Sequence, residues 1–306
     1  MIIIHSFEEA KGVRSVNRLA LGFFDGLHLG HASVILPLDM QNPHESAVLT
    51  FQTHPIDVVN PKQAPPLITG IPHKLKILRD WQIGAVMLLP FDSARAKESA
   101  EDFLKELQPC FPGLKQISVG EDFRFGHKRK GDVALLEKWA HARGIELHVI
   151  PRLKMYAENV SSTAIRKNIR EGNLHKASEM LGRPFSLYGE VIHGDGFGHR
   201  LGYPTANIHT LDQCLPSTGV YAGSVIFDTS TTLHKAAVNI GDRPTIAHGT
   251  HQTNIEAHIL DFDGDLYGQN IHIVPQQKLR DEQKFPSIQA LQDAIQRDVQ
   301  KVREIS

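Results

Sequence analysis

The sequence predicts two domains of different class: an α/β domain built on a parallel sheet, then a small antiparallel barrel or sandwich closed by a helix. Three observations predict it. Between residues 18 and 150, short runs rich in Val, Ile and Leu alternate with amphipathic stretches, the order that βα units around a parallel sheet produce. From residue 188 to 274, strand-like runs and turn signals follow one another with no long helical pattern. A chain of 306 residues, 41% apolar and 22% charged, is long and apolar enough for two cores.

Each element has its own signal. Strands are expected at 18–24, 46–51, 84–89, 116–120 and 145–150, all near-continuously apolar or rich in Val and Ile. Helices are expected at 30–40, 73–81, 99–107 and 132–142, the last with Val133, Leu136, Trp139 and Ala140 at helical spacing. The helical pattern continues through 163–170, ended by Gly172, and through 174–181, with Asn173 as N-cap and Gly182 as terminator. Beyond it, strands are expected at 188–193, 220–227, 236–240, 255–261 and 271–274, with Asp263-Gly264 as a tight turn. Ser287 opens a closing helix whose apolar stripe is Ile288, Leu291, Ile295, Val299 and Val302, with Phe285 stapling onto Leu291. The change of texture near 183–187 divides the chain into 1–183 and 184–306.

Composition excludes several classes of function. Lys+Arg 33 against Asp+Glu 34 leaves a net charge of -1, so no general basic surface holds a nucleic acid, and any anion site is local. Cys110 and Cys214 form no C-x-x-C, which argues against a disulfide framework or cysteine metal site and suits a reducing compartment. The first residues, with an apolar run of three followed by His and Glu, do not read as a secretory signal, and no run approaches the roughly 20 apolar residues of a membrane span. A cytoplasmic protein with neither nucleic acid nor membrane as partner is expected, and its oligomeric state is left open.

Five segments carry chemistry. Leu21 to His31 reads as a strand running through a Gly-rich turn (Gly22, Phe24, Asp25, Gly26) into a helix that Gly30 begins, with His28 and His31 one turn apart. Free N–H groups and the helix dipole there suit a phosphate, and the bland alternative is a tight turn with two surface histidines. Glu121 to Asp132 follows a strand, where α/β sheets place ligands. Its aromatics can stack on a flat ring and its cations can meet phosphates, or it is a solvated basic loop. Ser161 to Arg166 places hydroxyls at a helix start and a guanidinium one turn later, a phosphate grip or a plain cap. Gly194 to Asn207 reads as a glycine flap over phosphates; in its extended end Thr205 and Asn207 point one way and can share a hard cation. Glu256 shares a strand face with His258 and Leu260, opposite Ile255, Ala257 and Ile259. There it is either a general base for a hydroxyl nucleophile or a solvent-facing charge.

Other motifs fail. The 194–202 glycines misfit G-x-G-x-x-G, and Asp132 stands where a P-loop needs lysine after Gly126 and Gly131. No G-x-S-x-G or H-E-x-x-H occurs, and the His248/His251 pair lies in a Gly-containing loop without a nearby carboxylate.

Taken together, GFFDGLHLGH at 22–31, TFQTHP at 50–55, GEDFRFG at 120–126, SSTAIR at 161–166, LGRPF at 181–185, GYPTAN at 202–207, GVYAG at 219–223, NIGDRPT at 239–245, EAHILDFDGDLYG at 256–268 and LRDEQKF at 279–285 resemble the bacterial bifunctional riboflavin kinase/FMN adenylyltransferase family, also called FAD synthetases. The resemblance spans almost the whole chain. It implies a nucleotidyltransferase-type α/β domain, Rossmann-like with a parallel sheet, followed by an antiparallel six-stranded riboflavin kinase β-barrel with a terminal helix. It implies two Mg²⁺-dependent reactions of ATP: riboflavin to FMN, then FMN to FAD with release of pyrophosphate. ATP, riboflavin and FMN are then the partners. For the kinase step it implies Glu256 as general base, Thr205 and Asn207 on Mg²⁺ and the ATP phosphates, Gly198 within the covering flap, and Arg280 on the flavin side. For adenylyl transfer it implies His28 and His31 at the α-phosphate, with Gly22, Phe24 and Gly30 shaping the ATP turn. Ser162, Thr163 and Arg166 would hold pyrophosphate, and Asp122, Phe123 and Phe125 the flavin. Three positions depart from the family: Phe23 where Asn is usual, Thr53 where Pro is common, and His199 in place of a frequent Arg. Phe23 motivates the alternative, a riboflavin kinase whose front domain only binds nucleotide or regulates.

Overall fold

The computed structural model describes residues 1–36, 42–210, 213–228, 230, 232–244 and 251–305. The chain divides into two compact units, Met1–Leu67 with Ile71–Ser162, and Ile68–Gly70 with Thr163–Ser306.

In the first unit, β1 (Ile2–Ile4), β2 (Arg18–Leu21), β3 (Ser46–Phe51), β4 (Ala85–Leu89), β5 (Gln116–Gly120) and β6 (Glu146–Ile150) form one sheet in the order β1-β4-β3-β2-β5-β6. Every neighbouring pair is parallel. All five residues of β4 are buried, the continuous apolar run of a strand covered on both faces. On one face Leu49 and Met87 pack against Phe7 of α1 (Phe7–Ala10), Phe103 and Leu107 of α5 (Ala100–Leu107) and Leu136 of α6 (Val133–His141). On the other, Val48 and Val86 pack against Val34 and Ile35 of α2 (Leu29–Ile35) and Ile77 and Leu78 of α4 (Ile71–Asp80). Ser99 and Asp132 cap α5 and α6 by accepting from Asp102 N and Leu135 N. A short α3 (Pro55–Val59) follows β3, and β7 (Lys154–Met155) pairs with β8 (Glu158–Asn159).

The chain runs outward from β2 through β3 to β4, then returns to β5 beside β2. The strand order therefore reverses between β2 and β5, and doubly wound sheets bind ligands outside the carboxyl ends of the strands at such a point. The Gly22–His31 and Glu121–Phe125 segments leave the sheet there.

The second unit opens with α7 (Ser162–Arg170), which begins on the last residue of the first, and α8 (Leu174–Leu181), ended by Gly182 at φ 71. Strands β9 (Leu187–Ile192), β10 (Ala206–His209), β11 (Gly219–Phe227), β12 (His234–Pro244), β13 (His251–Ile259) and β14 (Asn270–Arg280) close into a barrel ordered β10-β13-β12-β11-β14-β9. Its pairings are antiparallel. Alternate residues such as Val238, Ile240, Ile255 and Ala257 fill the interior. A single turn, α9 (Phe197–Arg200), lies between β9 and β10. The terminal helix α10 (Ile288–Glu304) covers part of the outer wall through Val299 and Val302 against Ala222, Ala237 and Leu260. Lys235 Nζ donates to the carbonyls of Arg303 (2.9 Å) and Ile305 (2.7 Å), satisfying groups that the helix end leaves open.

The structure corrects several expectations. The first strand stops at Leu21 instead of residue 24, because Phe24, Gly26 and Leu27 take positive φ of 53, 86 and 42°. β1 was not expected: its three residues are too few for a period, and pairing with Ala85–Met87 makes the strand. Asn173 stands at the N-cap of α8, but its amide donates to Glu171 Oε2 and caps nothing. Asp263-Gly264 is no hairpin turn, since β13 and β14 are not barrel neighbours; the link bends there and turns at Asp261 (φ 55) and Gly268 (φ 73). Ile288 is 63% exposed, and the buried face of α10 instead includes Asp298. Leu260 lies on the outer face with Glu256 and His258 as expected, and α10 buries it there. Residue 245 of the NIGDRPT motif, His248 and the end of the helix expected at 30–40 lie outside the described residues.

Candidate active sites

In the first unit the turn after β2 is held at several backbone atoms. Thr50 Oγ1 and Lys74 Nζ both donate to the Phe23 carbonyl at 2.7 Å. Ser162 Oγ donates to the Asp25 carbonyl at 2.9 Å. His28 is the N-cap of α2, and its Nδ1 accepts from His31 N at 3.2 Å, so Nε2 carries the proton in the neutral ring. The two rings stack with centroids 3.5 Å apart, and Phe24 meets His31 edge-on at 5.3 Å. The expected pair therefore acts as one stacked unit at a helix start, with His28 as a cap rather than on the helical face. Glycine makes room for both rings: a Cβ at Gly22 would sit 2.7 Å from Phe24, and one at Gly30 would sit 3.2 Å from the His28 ring.

Lys74, on α4, is a functional candidate that no sequence motif signalled. It is 1% exposed, its Nζ lies 4.4 Å from the centroid of Phe23, and burial pushes its pKa down to about 8, against the raising influence of Asp25. On the other side, the Phe23 ring meets His54 edge-on at 4.4 Å.

Past β5, Asp122 pairs with Arg152, which holds its carboxyl below the usual range. Phe123 and Phe125 stack at 5.4 Å, but Phe125 is 8% exposed and packs on Phe103 at 5.6 Å. Phe125 thus joins the core, and Phe123, half-buried, is the ring of the pair left nearer the surface. Gly126, at φ 72, lies where a Cβ would come 2.5 Å from Ala100 N, so the segment is pressed onto α5. Ser162, Thr163 and Arg166 open α7 as expected; Arg166 is 7% exposed.

In the second unit the barrel brings the kinase candidates together. Asn207 of β10 stands directly opposite Glu256 of β13, and Asn239 of β12 stands opposite it on the other side. Residues in register across a sheet share a face, so the three form a row on the outer wall. Thr205 Oγ1 lies 3.3 Å from Glu256 Oε2, and Asn254 Nδ2 donates to Glu256 Oε1 at 2.5 Å. His258, one step along that face, is 2.8 Å from the Pro204 carbonyl through Nδ1. A Cβ at Gly194 would come 2.3 Å from Asn207 Nδ2, and one at Gly198 would come 2.5 Å from the Tyr203 carbonyl. The flap glycines are therefore where the backbone closes on this row. Asn239 and Asn254 were missed in the sequence, although the alternation that placed Glu256 also reaches Asn254. Arg280 donates through Nε to Asp298 Oδ2 at 2.8 Å and lies 5.4 Å from the Phe285 centroid.

Mg²⁺ prefers hard oxygen donors and keeps several ligands for phosphate and water. Thr205 Oγ1, Asn207 Oδ1 and Glu256 offer oxygens on one face with the Gly194 cradle beside them, which fits that ion. Among the described residues no cluster of three or more His, Cys, Asp or Glu could hold a metal, so any ion here depends on substrate oxygens as well.

A doubly wound sheet with a phosphate-suited turn at its switch point, followed by a closed barrel with a carboxylate among oxygen donors, defines a two-domain nucleotide-dependent transferase. The FAD synthetase family model matches residues 12–164 and the riboflavin kinase family model residues 181–306. The chain is 35% identical over 304 residues to a bifunctional riboflavin kinase/FMN adenylyltransferase of Escherichia coli, covering 98% of this chain and 96% of that one. It is 33% identical over 306 residues to the protein of that name from Haemophilus influenzae, covering 99% and 98%. This chain belongs to the bifunctional riboflavin kinase/FMN adenylyltransferase family. A crystal structure titled as a macrolide-efflux protein from Streptococcus pneumoniae matches with a TM-score of 0.81 at 28% identity, over 100% of this chain and 99% of that one. Among the described residues no helix is long and apolar enough to cross a membrane.

Proposed function

We propose that this chain phosphorylates riboflavin with ATP to give FMN and ADP, and transfers the AMP group of a second ATP to FMN, giving FAD and pyrophosphate. Kinase activity is assigned to 184–306 and adenylyl transfer to 1–183, in a cytoplasmic enzyme. The presence of both family matches supports this reading over a kinase with an inactive front domain.

In the kinase step, Glu256 takes the proton of the terminal ribityl hydroxyl as that oxygen attacks the γ-phosphorus of ATP and the bond to the β-phosphate oxygen breaks. Asn254 and Thr205 orient the carboxylate, one on each oxygen. Thr205 and Asn207 would hold Mg²⁺ beneath Gly198 and the rest of the flap; bound with ATP, the ion neutralises charge on the phosphates. Arg280, fixed by Asp298, closes the flavin side.

In the adenylyl step, an FMN phosphate oxygen attacks the α-phosphorus of ATP and pyrophosphate leaves, so no covalent enzyme intermediate is needed. His28 and His31 stabilise the charge that develops, aided by the positive end of the α2 dipole. Gly22, Phe24 and Gly30 shape the turn around them. Ser162, Thr163 and Arg166 hold the departing pyrophosphate, and Asp122, Phe123 and Phe125 form the flavin side, Phe125 by supporting Phe123.

The observation that carries the reading is the Asn207–Glu256 cross-strand pair with Thr205 on the same carboxylate. Incubation of the protein with riboflavin, ATP and Mg²⁺, with flavins resolved by chromatography, should yield FMN and then FAD. Absence of both products sinks the proposal, and FMN alone restores the kinase-only alternative.

A further inference from the structure

A cation buried on the inner side of α4 beneath a phosphate-suited turn is unusual enough to require a role. Lys74 is 1% exposed, and a lysine this deeply desolvated costs the fold stability at neutral pH. A Met of similar length would fill the space without that cost. Lys74 Nζ makes its 2.7 Å hydrogen bond to the backbone carbonyl of Phe23, one residue past Gly22, and lies 3.4 Å from Thr50 Oγ1, which donates to the same carbonyl. From there the turn runs through Asp25, Gly26 and Leu27 to His28, five residues past Phe23 and the cap of α2.

We infer that Lys74 is a positioning residue for adenylyl transfer, pinning the Phe23 carbonyl so that the turn presents His28 and the start of α2 to the α-phosphate. The ammonium is buried and does not touch a substrate; it acts through the turn. The anchor is a backbone atom, so it does not depend on the side chain at position 23. The side chain there is free to differ so long as its carbonyl is held. In this chain the ring covers the ammonium at 4.4 Å, shielding it from solvent.

The inference rests on the adenylyl-transfer reading, and the test separates the two. FAD formation from supplied FMN and ATP is measured on the full chain for wild type, Lys74→Met, Phe23→Leu and Thr50→Ser, together with FMN formation from riboflavin and thermal unfolding. Lys74→Met should lower kcat for FAD formation at least about tenfold with KM for ATP within about twofold, the signature of a contact used in the transition state. Its FMN formation should be unchanged and its unfolding temperature equal or higher, which a merely structural lysine would not give. Phe23→Leu should keep FAD formation within about threefold, and Thr50→Ser, which keeps the hydroxyl, should match wild type. Wild-type kcat in Lys74→Met, or an equal loss in Phe23→Leu, overturns the inference while leaving adenylyl transfer standing. If Lys74→Met fails to fold, the lysine is structural and the inference is likewise overturned. A wild-type protein that makes no FAD overturns the underlying reading as well.

Discussion

At the scale of single residues, the side chains proposed for the two reactions have structural duties that can be separated from their chemistry. Glu256→Gln keeps the shape and the Asn254 and Thr205 contacts but removes the proposed base. FMN formation should fall roughly 10²–10⁴-fold while FAD formation from supplied FMN is unchanged, as followed by chromatography. His28 caps α2 and, in the proposed mechanism, faces the α-phosphate. His28→Asn retains a cap of similar worth, so thermal stability should stay within about 0.5 kcal/mol while FAD formation is lost. His28→Ala should lose FAD formation and about 1 kcal/mol besides. Lys74 gives a pH signature. Its pKa is about 8 in the folded protein against an ordinary 10.5, so between those values the unfolded chain holds a proton that the folded chain has released. Stability conferred by this residue therefore rises with pH across that window. Denaturant unfolding should show the wild type gaining on Lys74→Met by up to about 3 kcal/mol between pH 8 and 10.5. A constant difference contradicts the assignment.

At the scale of elements, the strands of the parallel sheet were legible because burial on both faces leaves unbroken apolar runs, as in β4. The barrel strands were legible through alternation, as at Ile255, Ala257 and Ile259. β1 was not, since its strand character comes from pairing with β4 rather than from any period of its own. Nor was the Asp263-Gly264 bend, because turn composition does not say which strands will be neighbours. The flap glycines are a testable element. A methyl at Gly194 meets the movable amide of Asn207, so Gly194→Ala should displace that side chain without unfolding the barrel. Its Mg²⁺ half-saturation for FMN formation should rise about tenfold, and an unchanged value would remove Asn207 from the ion's site. On α10, Asp298 is 4% exposed and holds Arg280, so Asp298→Asn should cost about 2 kcal/mol in denaturant unfolding.

At the scale of the whole molecule, the sequence's division into an α/β half and a β half carried over because each has its own periodicity, and the candidate residues fell at the ends and faces that those periodicities place. Extended-chain alternation placed Asn207 and Glu256 on one face, and the helix start placed His28 at the cap. Lys74 and Asn239 were not, since one is a lysine on the inner side of a helix and the other lies on a strand distant in sequence; only the folded register brings them to the sites. In the proposed function one chain holds two separate active sites that share FMN as product and substrate. The measurement that tests it most directly is flavin chromatography on Glu256→Gln protein, His28→Asn protein and their equimolar mixture, each given riboflavin, ATP and Mg²⁺. The first should give no flavin product, the second FMN alone and the mixture FAD. A mixture that forms FMN but no FAD, or a His28→Asn protein that has lost FMN formation while remaining folded, would contradict it.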